Sequence, residues 1–163
     1  MAKKDPGHKT VAMRLIKQAH LACQTHTLPG EGALSAEQVA GLLGVEPGRV
    51  FKTLVTVGKS GRHYVFMLPA NAELDLKKAA KAGGEKSIEM LPSKELLPLT
   101  GYVHGGCSPI GMRKRFKTFI DQSALTQETI FFSAGILGTQ LEMPLGSLQK
   151  MLPIEAVDLR LGE

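Results

Sequence analysis

The stretch "RVFKTLVTVGKSGRHYVFML", Arg49–Leu68, decides which kind of fold the chain can adopt. Two runs rich in β-branched and aromatic residues, Arg49–Val57 and Arg62–Leu68, flank the turn sequence Gly58–Gly61. This arrangement predicts two antiparallel strands joined as a β-hairpin. A hairpin in the middle of the chain argues against the strictly alternating βαβ order of a parallel, dinucleotide-binding sheet.

Helices and further strands are expected on both sides of this hairpin. The apolar spacing and capping signals predict helices at Val11–Ala22, from Ser35 to Gly44, from Asp75 to Gly83–Gly84, at Ser93–Leu99 and from Pro144. Strands are expected at Ser87–Leu91, Lys117–Asp121, Thr129–Gly135, Thr139–Met143 and Glu155–Leu159. The irregular alternation predicts an α/β single domain with a mixed, curved sheet.

Length and composition narrow the function classes. The 163 residues suit one domain, which we place at residues 10–163 after a basic flexible tail at residues 1–9. The net charge of +5 favours an anionic partner such as RNA, DNA or a nucleotide. With no Trp and 5% aromatic residues, a base-stacking platform is poorly supplied. No apolar run approaches the roughly 20 residues of a membrane span.

The two cysteines, Cys23 and Cys107, set the expected redox compartment. They allow one disulfide, but a domain of this size does not require one, so a reduced cytoplasmic protein is the expectation. Together with His26 and His104 they also form a set of four residues with ligand-like spacing. If the first pair lies on a strand, Cys23 and His26 point to opposite faces and cannot share an ion, so no metal site is expected.

A glycine-rich loop, "GYVHGGCSPIGMRKR" at Gly101–Arg115, is the strongest candidate for ligand contact. The backbone N–H groups of Gly105 and Gly106 either face an anion or oxyanion, or belong to a tight turn. Ser108 in this loop and Ser133 further on are candidate nucleophiles, although neither lies in a G-x-S-x-G sequence.

Positive charges accompany this loop and the hairpin. Lys52 lies inside an apolar strand, where a lysine either extends to the sheet edge or points into a pocket as a cation for a carboxylate, phosphate or oxyanion. The basic cluster after the loop is either a solvated surface or holds the anionic part of a ligand; it comprises Arg113, Lys114, Arg115 and Lys117.

Four segments, in this order and at these spacings, resemble the YbaK family of Cys-tRNA(Pro) deacylases, which is similar to the editing domain of bacterial prolyl-tRNA synthetases. They are "VFKTLV" (Val50–Val55), "ELDLKKAAKAGGEKSIEM" (Glu73–Met90), "TGYVHGGCSPIGMRKRFKTFID" (Thr100–Asp121) and "IFFSAG" (Ile130–Gly135). The resemblance implies a barrel-like sheet flanked by helices. It also implies hydrolysis of the aminoacyl ester of mischarged tRNA without a cofactor or metal, with the substrate's own thiol as the attacking group.

The resemblance also implies roles for individual residues. Lys52 and Ser133 match the family's strand lysine and pocket serine, and we assign both to catalysis. Substrate contacts are assigned to Leu28, Thr53, Gly101, Tyr102, Gly105, Gly106, Ser108, Gly135 and Gln140. Contacts with the tRNA backbone are assigned to Arg113, Lys114, Arg115 and Lys117.

Two of these positions depart from the family pattern. Leu28 stands where cysteine-specific members have Tyr, and Gln140 stands where they have Asp. The expected partners are mischarged tRNA(Pro) and, as a second possibility, prolyl-tRNA synthetase. A non-catalytic module that binds a tRNA end or a nucleotide in the same pocket is the alternative function.

Overall fold

The computed structural model describes residues 9–30 and 32–162, so most of the expected N-terminal tail lies outside the described residues. Within them the strands are β1 (Gln24–Thr27), β2 (Phe51–Gly58), β3 (His63–Pro69), β4 (Ile88–Met90), β5 (Lys117–Asp121), β6 (Ile130–Ser133), β7 (Thr139–Met143) and β8 (Ile154–Val157). The α-helices are α1 (Val11–Gln18), α2 (Ala36–Leu43), α3 (Leu76–Gly83), α4 (Ser93–Thr100) and α5 (Leu145–Met151).

The strands form two sheets that meet beside β2 and β6. The first has the order β1-β7-β6, with both pairs antiparallel. The second has the order β4-β2-β3-β5-β8; its first two pairs are antiparallel and its last two are parallel. A parallel bridge between Val50 and Phe131 joins the two sheets beside β2 and β6. The mixed α/β fold is confirmed, but the sheets do not close, so a barrel-like sheet is not.

The predicted hairpin is formed by β2 and β3. Their register runs from Phe51 opposite Pro69 to Val57 opposite His63. The turn places Gly61 at a φ of +91°, a conformation that glycine adopts without steric cost. Gly58 has a different role, because a Cβ atom there would overlap the carboxyl group of Glu85. The turn glycines therefore serve both chain reversal and the close approach of a neighbouring side chain.

Local capping signals correctly predicted both ends of α2 and α3 and the start of α5. Ser35 and Gln38 form the reciprocal capping box of α2, and Asp75 accepts two backbone N–H bonds at the start of α3. Both helices end at a glycine in the left-handed region, Gly44 and Gly84. Pro144 is the N-cap of α5, immediately before the first turn in which it was expected.

Helix α1 is shorter than the spacing predicted, and its extension to Ala22 is wrong. It ends at Gln18, and His20 adopts a left-handed φ of +58°. The N–H of His20 bonds Lys17, and the N–H of Leu21 bonds Ile16. These are the two bonds of a Schellman motif, here with histidine in the place that glycine usually takes. The glycine signal that marks a helix end was therefore absent from the sequence.

Alternation along β6 and β7 separates the core from the functional face. Ile130, Phe132, Leu141 and Met143 point into a core that also contains residues of α1 and α5. The residues between them point to the opposite face, toward α2 and β2. No helix within residues 9–30 and 32–162 is long and apolar enough to cross a membrane.

Candidate active site

A cleft of about 450 Å³ opens where the two sheets meet. The five-stranded sheet contributes residues 51–55 of β2, preceded by Val50, and the three-stranded sheet contributes Ser133 and Gln140. The remaining walls come from the first turn of α2, the segment between β4 and α4, and the glycine-rich loop. The cleft therefore combines chain segments that are far apart in sequence, from Leu34 to Gln140.

Lys52 projects from β2 into this cleft. Its ammonium group lies 3.4 Å from the carbonyl oxygen of Ala70, and the side chain is partly buried. Burial lowers the pKa of Lys52 below that of a free lysine, while the negative charges of Glu37 and Glu73 act in the opposite direction. Of the two alternatives for this lysine, the structure shows the one in which it points into a pocket.

Ser133 and Gln140 face the cleft as neighbours on paired strands. They are directly opposite in the β6–β7 register and are 9% and 8% exposed. The hydroxyl oxygen of Ser133 accepts a bond from the N–H of Gly135 at 3.1 Å, which leaves its own O–H as a donor. The two side chains place a hydroxyl and an amide on the same wall.

Two buried polar atoms of the cleft lack a hydrogen-bond partner among the described residues. They are Oγ1 of Thr53 and Oε1 of Gln140. A buried polar atom without a partner costs roughly 1–3 kcal/mol. A protein retains such atoms most readily where a ligand supplies the missing bonds. With Lys52, they form a set of one cation, one hydroxyl and one amide oxygen.

Within the glycine-rich loop, Gly105 lines the cleft together with His104 and Cys107. Gly105 has a φ of +86°, and its missing Cβ leaves space for Ala33 and Leu137. The N–H of Gly106 bonds the carbonyl of Val103 at 2.9 Å. This N–H therefore belongs to a tight turn, and the oxyanion alternative does not apply to it.

The comparison with known families agrees with this geometry. Residues 30–151 match the family described as the aminoacyl-tRNA editing domain. This chain belongs to the aminoacyl-tRNA editing family. The result confirms the resemblance noted in the sequence.

The chain is similar to two curated proteins and to a solved structure. The Enterococcus faecalis protein EbsC, named as a candidate Cys-tRNA(Pro)/Cys-tRNA(Cys) deacylase, is 49% identical over 144 residues, 88% of each chain. The proline–tRNA ligase of Thermosipho melanesiensis is 32% identical over 78 residues, 48% of this chain and 14% of the ligase. A solved structure described as a candidate trans-editing enzyme for prolyl-tRNA synthetase superposes with a TM-score of 0.80. It is 24% identical, covering 95% of this chain and all of that one, and shows the shared fold.

Several residues expected at the substrate lie behind the cleft wall of this editing domain. The hydroxyl of Tyr102 donates to the carbonyl of Ile110 at 2.5 Å, and its ring lies where a Cβ of Gly135 would be, 2.7 Å away. Ser108 is fully buried and accepts the N–H of Ile110. Burial raises the pKa of Tyr102 to about 12. These residues hold the loop in place and do not line the cleft.

Leu28 and Gly101 also lie away from the cleft surface. Leu28 is 6% exposed and packs in a core with Val39, Val50 and Phe131. Gly101 is the left-handed cap of α4, and the side chain of Arg113 lies 3.2 Å from where its Cβ would be. Leu28 departs from the expected pocket position because its side chain packs against residues of α2 and β6.

The basic cluster lies around a different hollow of the editing domain. Arg113, Lys114 and Arg115 line a depression of about 390 Å³ together with residues of α1 and α5. Arg113 donates to the carbonyl of Pro98, and Lys117 lies 5.5 Å above the ring of Phe119. The structure does not bring these charges into the cleft.

The alternative metal site is not assembled. His104 and Cys107 line the cleft, whereas His26 lies on β1 and contacts Glu142 at 2.9 Å. Residues 9–30 and 32–162 contain no group of three or more His, Cys, Asp or Glu placed to hold an ion. Both cysteines are free, and burial raises the pKa of Cys107 to about 12, so its thiol remains protonated.

Glu37 is a cleft residue that the sequence did not reveal. It is exposed and lies in the first turn of α2. An apolar wall was also missed; it is formed by Leu34, Met90, Leu91 and Leu96. The capping box predicted the start of α2, but no local pattern shows that this end of the helix faces β2.

Proposed function

We propose that this chain hydrolyses the ester that joins an amino acid to the 3′ end of a mischarged tRNA, acting in trans. The observation that carries the proposal is the set of Lys52, Thr53 and Gln140 in one cleft, with two buried polar atoms that need bonds. Membership of the editing family and the 49% identity to EbsC support it. We propose Cys-tRNA(Pro) as the main substrate.

In the proposed mechanism, the substrate's own sulfur attacks the ester carbonyl carbon. The carbonyl carries a negative charge in the transition state, and the Lys52 ammonium stabilises it. The C–O bond to the ribose then breaks, the ribose oxygen takes up a proton, and water opens the resulting cyclic thioester to free cysteine. No protein nucleophile is consumed, so the protein supplies charge and orientation.

Ser133 completes the proposed catalytic pair. The hydroxyl oxygen accepts from the N–H of Gly135, so its own O–H remains available, and we propose that it donates to the ester. Thr53 and Gly105, which both line the cleft, are proposed to contact the substrate. Gln140 contacts the amino acid with a neutral amide, so we expect weaker discrimination between small amino acids than a charged group would give.

The basic cluster is proposed to contact the tRNA backbone outside the cleft. We expect neutralisation of Lys114, Arg115 and Lys117 to weaken tRNA binding and to lower its salt slope by about one unit for each phosphate that the protein no longer neutralises. Neutralisation of Lys77, Lys81 and Lys86 is the matched control, because it removes the same charge from other exposed positions. Equal slopes for the two triple variants would contradict a specific role of the cluster.

Two further proposals follow from a tRNA substrate. Prolyl-tRNA synthetase is a proposed partner because it produces the mischarged tRNA, and a stretch of this chain is 32% identical to a proline–tRNA ligase. We also propose a cytoplasmic location, where charged tRNA is used.

Release of labelled amino acid from a panel of mischarged tRNAs tests the function. We expect Cys-tRNA(Pro) to be hydrolysed fastest, with slower release from Ser- and Ala-tRNA(Pro). Ser differs from Cys by one atom, and its hydroxyl is a poor nucleophile near neutral pH. Equal release from the Ser and Cys substrates would indicate a positioned water as the attacking group. Binding of the tRNA end without release would favour the non-catalytic module.

A further inference from the structure

The charges that line the cleft are few. Among the described residues of its walls, Lys52 carries the positive charge and Glu37 supplies the carboxylate. His104 is the other ionisable polar side chain, and the Cys107 thiol stays protonated because of its raised pKa. A ligand that brings its own positive charge into this cleft can therefore form an ion pair with Glu37.

The substrate brings such a charge. An aminoacyl ester has a free α-amino group, which is protonated in a substantial fraction of molecules near neutral pH. The Oε1 atom of Gln140 is a suitable acceptor for one N–H of the ammonium, since it is buried without a partner among the described residues. An amide oxygen carries no net charge, however, so it leaves the charge itself uncompensated.

We infer that Glu37 is the charged contact for the α-ammonium group of the bound aminoacyl ester, and that Oε1 of Gln140 is its neutral second acceptor. This inference rests on the proposed function. It gives the cleft two charged contacts with different tasks. Lys52 meets the charge that develops on the carbonyl oxygen, and Glu37 meets the charge that the substrate already carries. The substrate fixes the distance between its ammonium group and its ester carbonyl. Contacts at both groups therefore set the orientation of the substrate in the cleft.

Two other roles of Glu37 must be separated from this one. An acidic residue in the first turn stabilises a helix through the helix dipole, and Glu37 lies in the first turn of α2. Glu37 also acts on the charge of Lys52 from a distance, as Glu73 does. Glu73 is exposed but does not line the cleft. It therefore serves as a matched control, because its neutralisation changes the field at Lys52 without removing a cleft carboxylate.

The test measures binding of two analogues of the tRNA end by calorimetry. Both are CCA trinucleotides that end in 3′-amino-3′-deoxyadenosine, so an amide replaces the ester and no hydrolysis occurs. One carries a cysteinyl group, and the other carries the same group without its amino group, 3-mercaptopropionyl. The wild type, Glu37→Gln and Glu73→Gln are compared, with thermal unfolding as a check of folding.

We expect Glu37→Gln to bind the cysteinyl analogue about two- to fivefold more weakly, as for an ion pair at a partly exposed site. Binding of the 3-mercaptopropionyl analogue should not change, and Glu73→Gln should bind both analogues as the wild type does. Equal weakening for both analogues, no change for either, or the same weakening in Glu73→Gln would overturn the inference.

The two failures are distinguishable. A wild-type protein that releases no amino acid from any mischarged tRNA would count against the proposed function. Release by the wild type, with an unchanged ratio of analogue affinities in Glu37→Gln, would count against the role of Glu37 alone.

Discussion

Two polar clusters lie close together in this protein, yet their hydrogen bonding differs. The first is the cleft cluster, which comprises Lys52, Thr53, Ser133 and Gln140. The second is the carboxylate cluster, which comprises His26, Arg49, Thr129 and Glu142. Gln140 and Glu142 are two residues apart on β7 and therefore point to the same face of the sheet.

In the carboxylate cluster, the carboxyl group of Glu142 has hydrogen-bond and ion-pair partners. Glu142 accepts from Thr129 at 2.6 Å and contacts His26 at 2.9 Å and Arg49 at 3.4 Å. Burial alone would raise the pKa of Glu142, but these hydrogen bonds and positive charges outweigh it and hold that pKa below its usual value. Arg49 also lies 5.0 Å above the ring of Phe131.

The cleft cluster contains polar atoms that form no hydrogen bond among the described residues. Oγ1 of Thr53 and Oε1 of Gln140 are buried without partners among the described residues, and burial lowers the pKa of Lys52. The difference separates a cluster that stabilises the fold from one prepared for a ligand. Substitutions in the carboxylate cluster should therefore change the free energy of unfolding, and substitutions in the cleft cluster should change activity.

The largest expected effect is at Lys52. Lys52→Ala should lower the deacylation rate about a hundredfold, because a donor to an oxyanion contributes roughly 3 kcal/mol to the barrier. Single-turnover release of amino acid measures this rate. Lys59→Ala, at an exposed lysine next to the hairpin turn, is the control and should react as the wild type does. An unchanged rate in Lys52→Ala would remove the lysine from catalysis.

Glu142→Ala should have the opposite profile. It removes hydrogen bonds that involve charged groups, so we expect the free energy of unfolding to fall by about 2 kcal/mol. The single-turnover rate of the folded protein should stay within about twofold of the wild type. Glu155→Ala, at an exposed strand position, should change stability by less than about 0.5 kcal/mol. Urea unfolding measures both variants, and equal destabilisation would contradict the comparison.

Thr53→Val sharpens the comparison within one strand. It removes a buried hydroxyl without a partner at nearly constant volume, so we expect stability to rise by about 1 kcal/mol while activity falls. Thr56→Val is the matched control, since the Thr56 hydroxyl donates to the carbonyl of Tyr64 at 3.0 Å. That variant should be less stable by about 1 kcal/mol. Destabilisation of both variants would show that Thr53 is not prepared for a ligand.

The smallest expected effect is in the pH dependence of stability. The pKa of Glu142 is lower in the folded chain than in the unfolded chain, where it is near 4.3. Its contribution is therefore complete above that pH and is lost as the pH falls through the folded pKa. Glu142→Gln should lose less stability than the wild type between about pH 5 and 3. Parallel curves from urea unfolding at each pH would contradict this.

Much of the fold was predictable because its signals are local. The capping box of α2 and the Asp75 cap each involve residues within one turn of a helix, and the hairpin joins two strands that are adjacent in sequence. The end of α1 was not predictable, because His20 takes a conformation that usually indicates glycine. The open form of the two sheets was not predictable either, since it depends on which strand edges meet.

Some residues of the candidate site were likewise predictable from the sequence, and others were not. Lys52 was recognisable as a cation inside an apolar strand, and Ser133 and Gln140 were found through the family resemblance. Glu37 was not found, and Leu28 was placed in the wrong environment. Whether a side chain lines a cleft or packs behind it depends on contacts between elements far apart in sequence.

The sequence by itself determined the type of most elements, the positions of several ends and the family. Alternation, caps and turn residues act over a few residues, so these signals do not depend on tertiary contacts. The tertiary structure decided which of these residues line the same cleft. The Val50–Phe131 bridge joins the two sheets across about eighty residues. Contacts of this kind bring Thr53 and Gln140 to one cleft, where Oγ1 and Oε1 have no hydrogen-bond partner among the described residues.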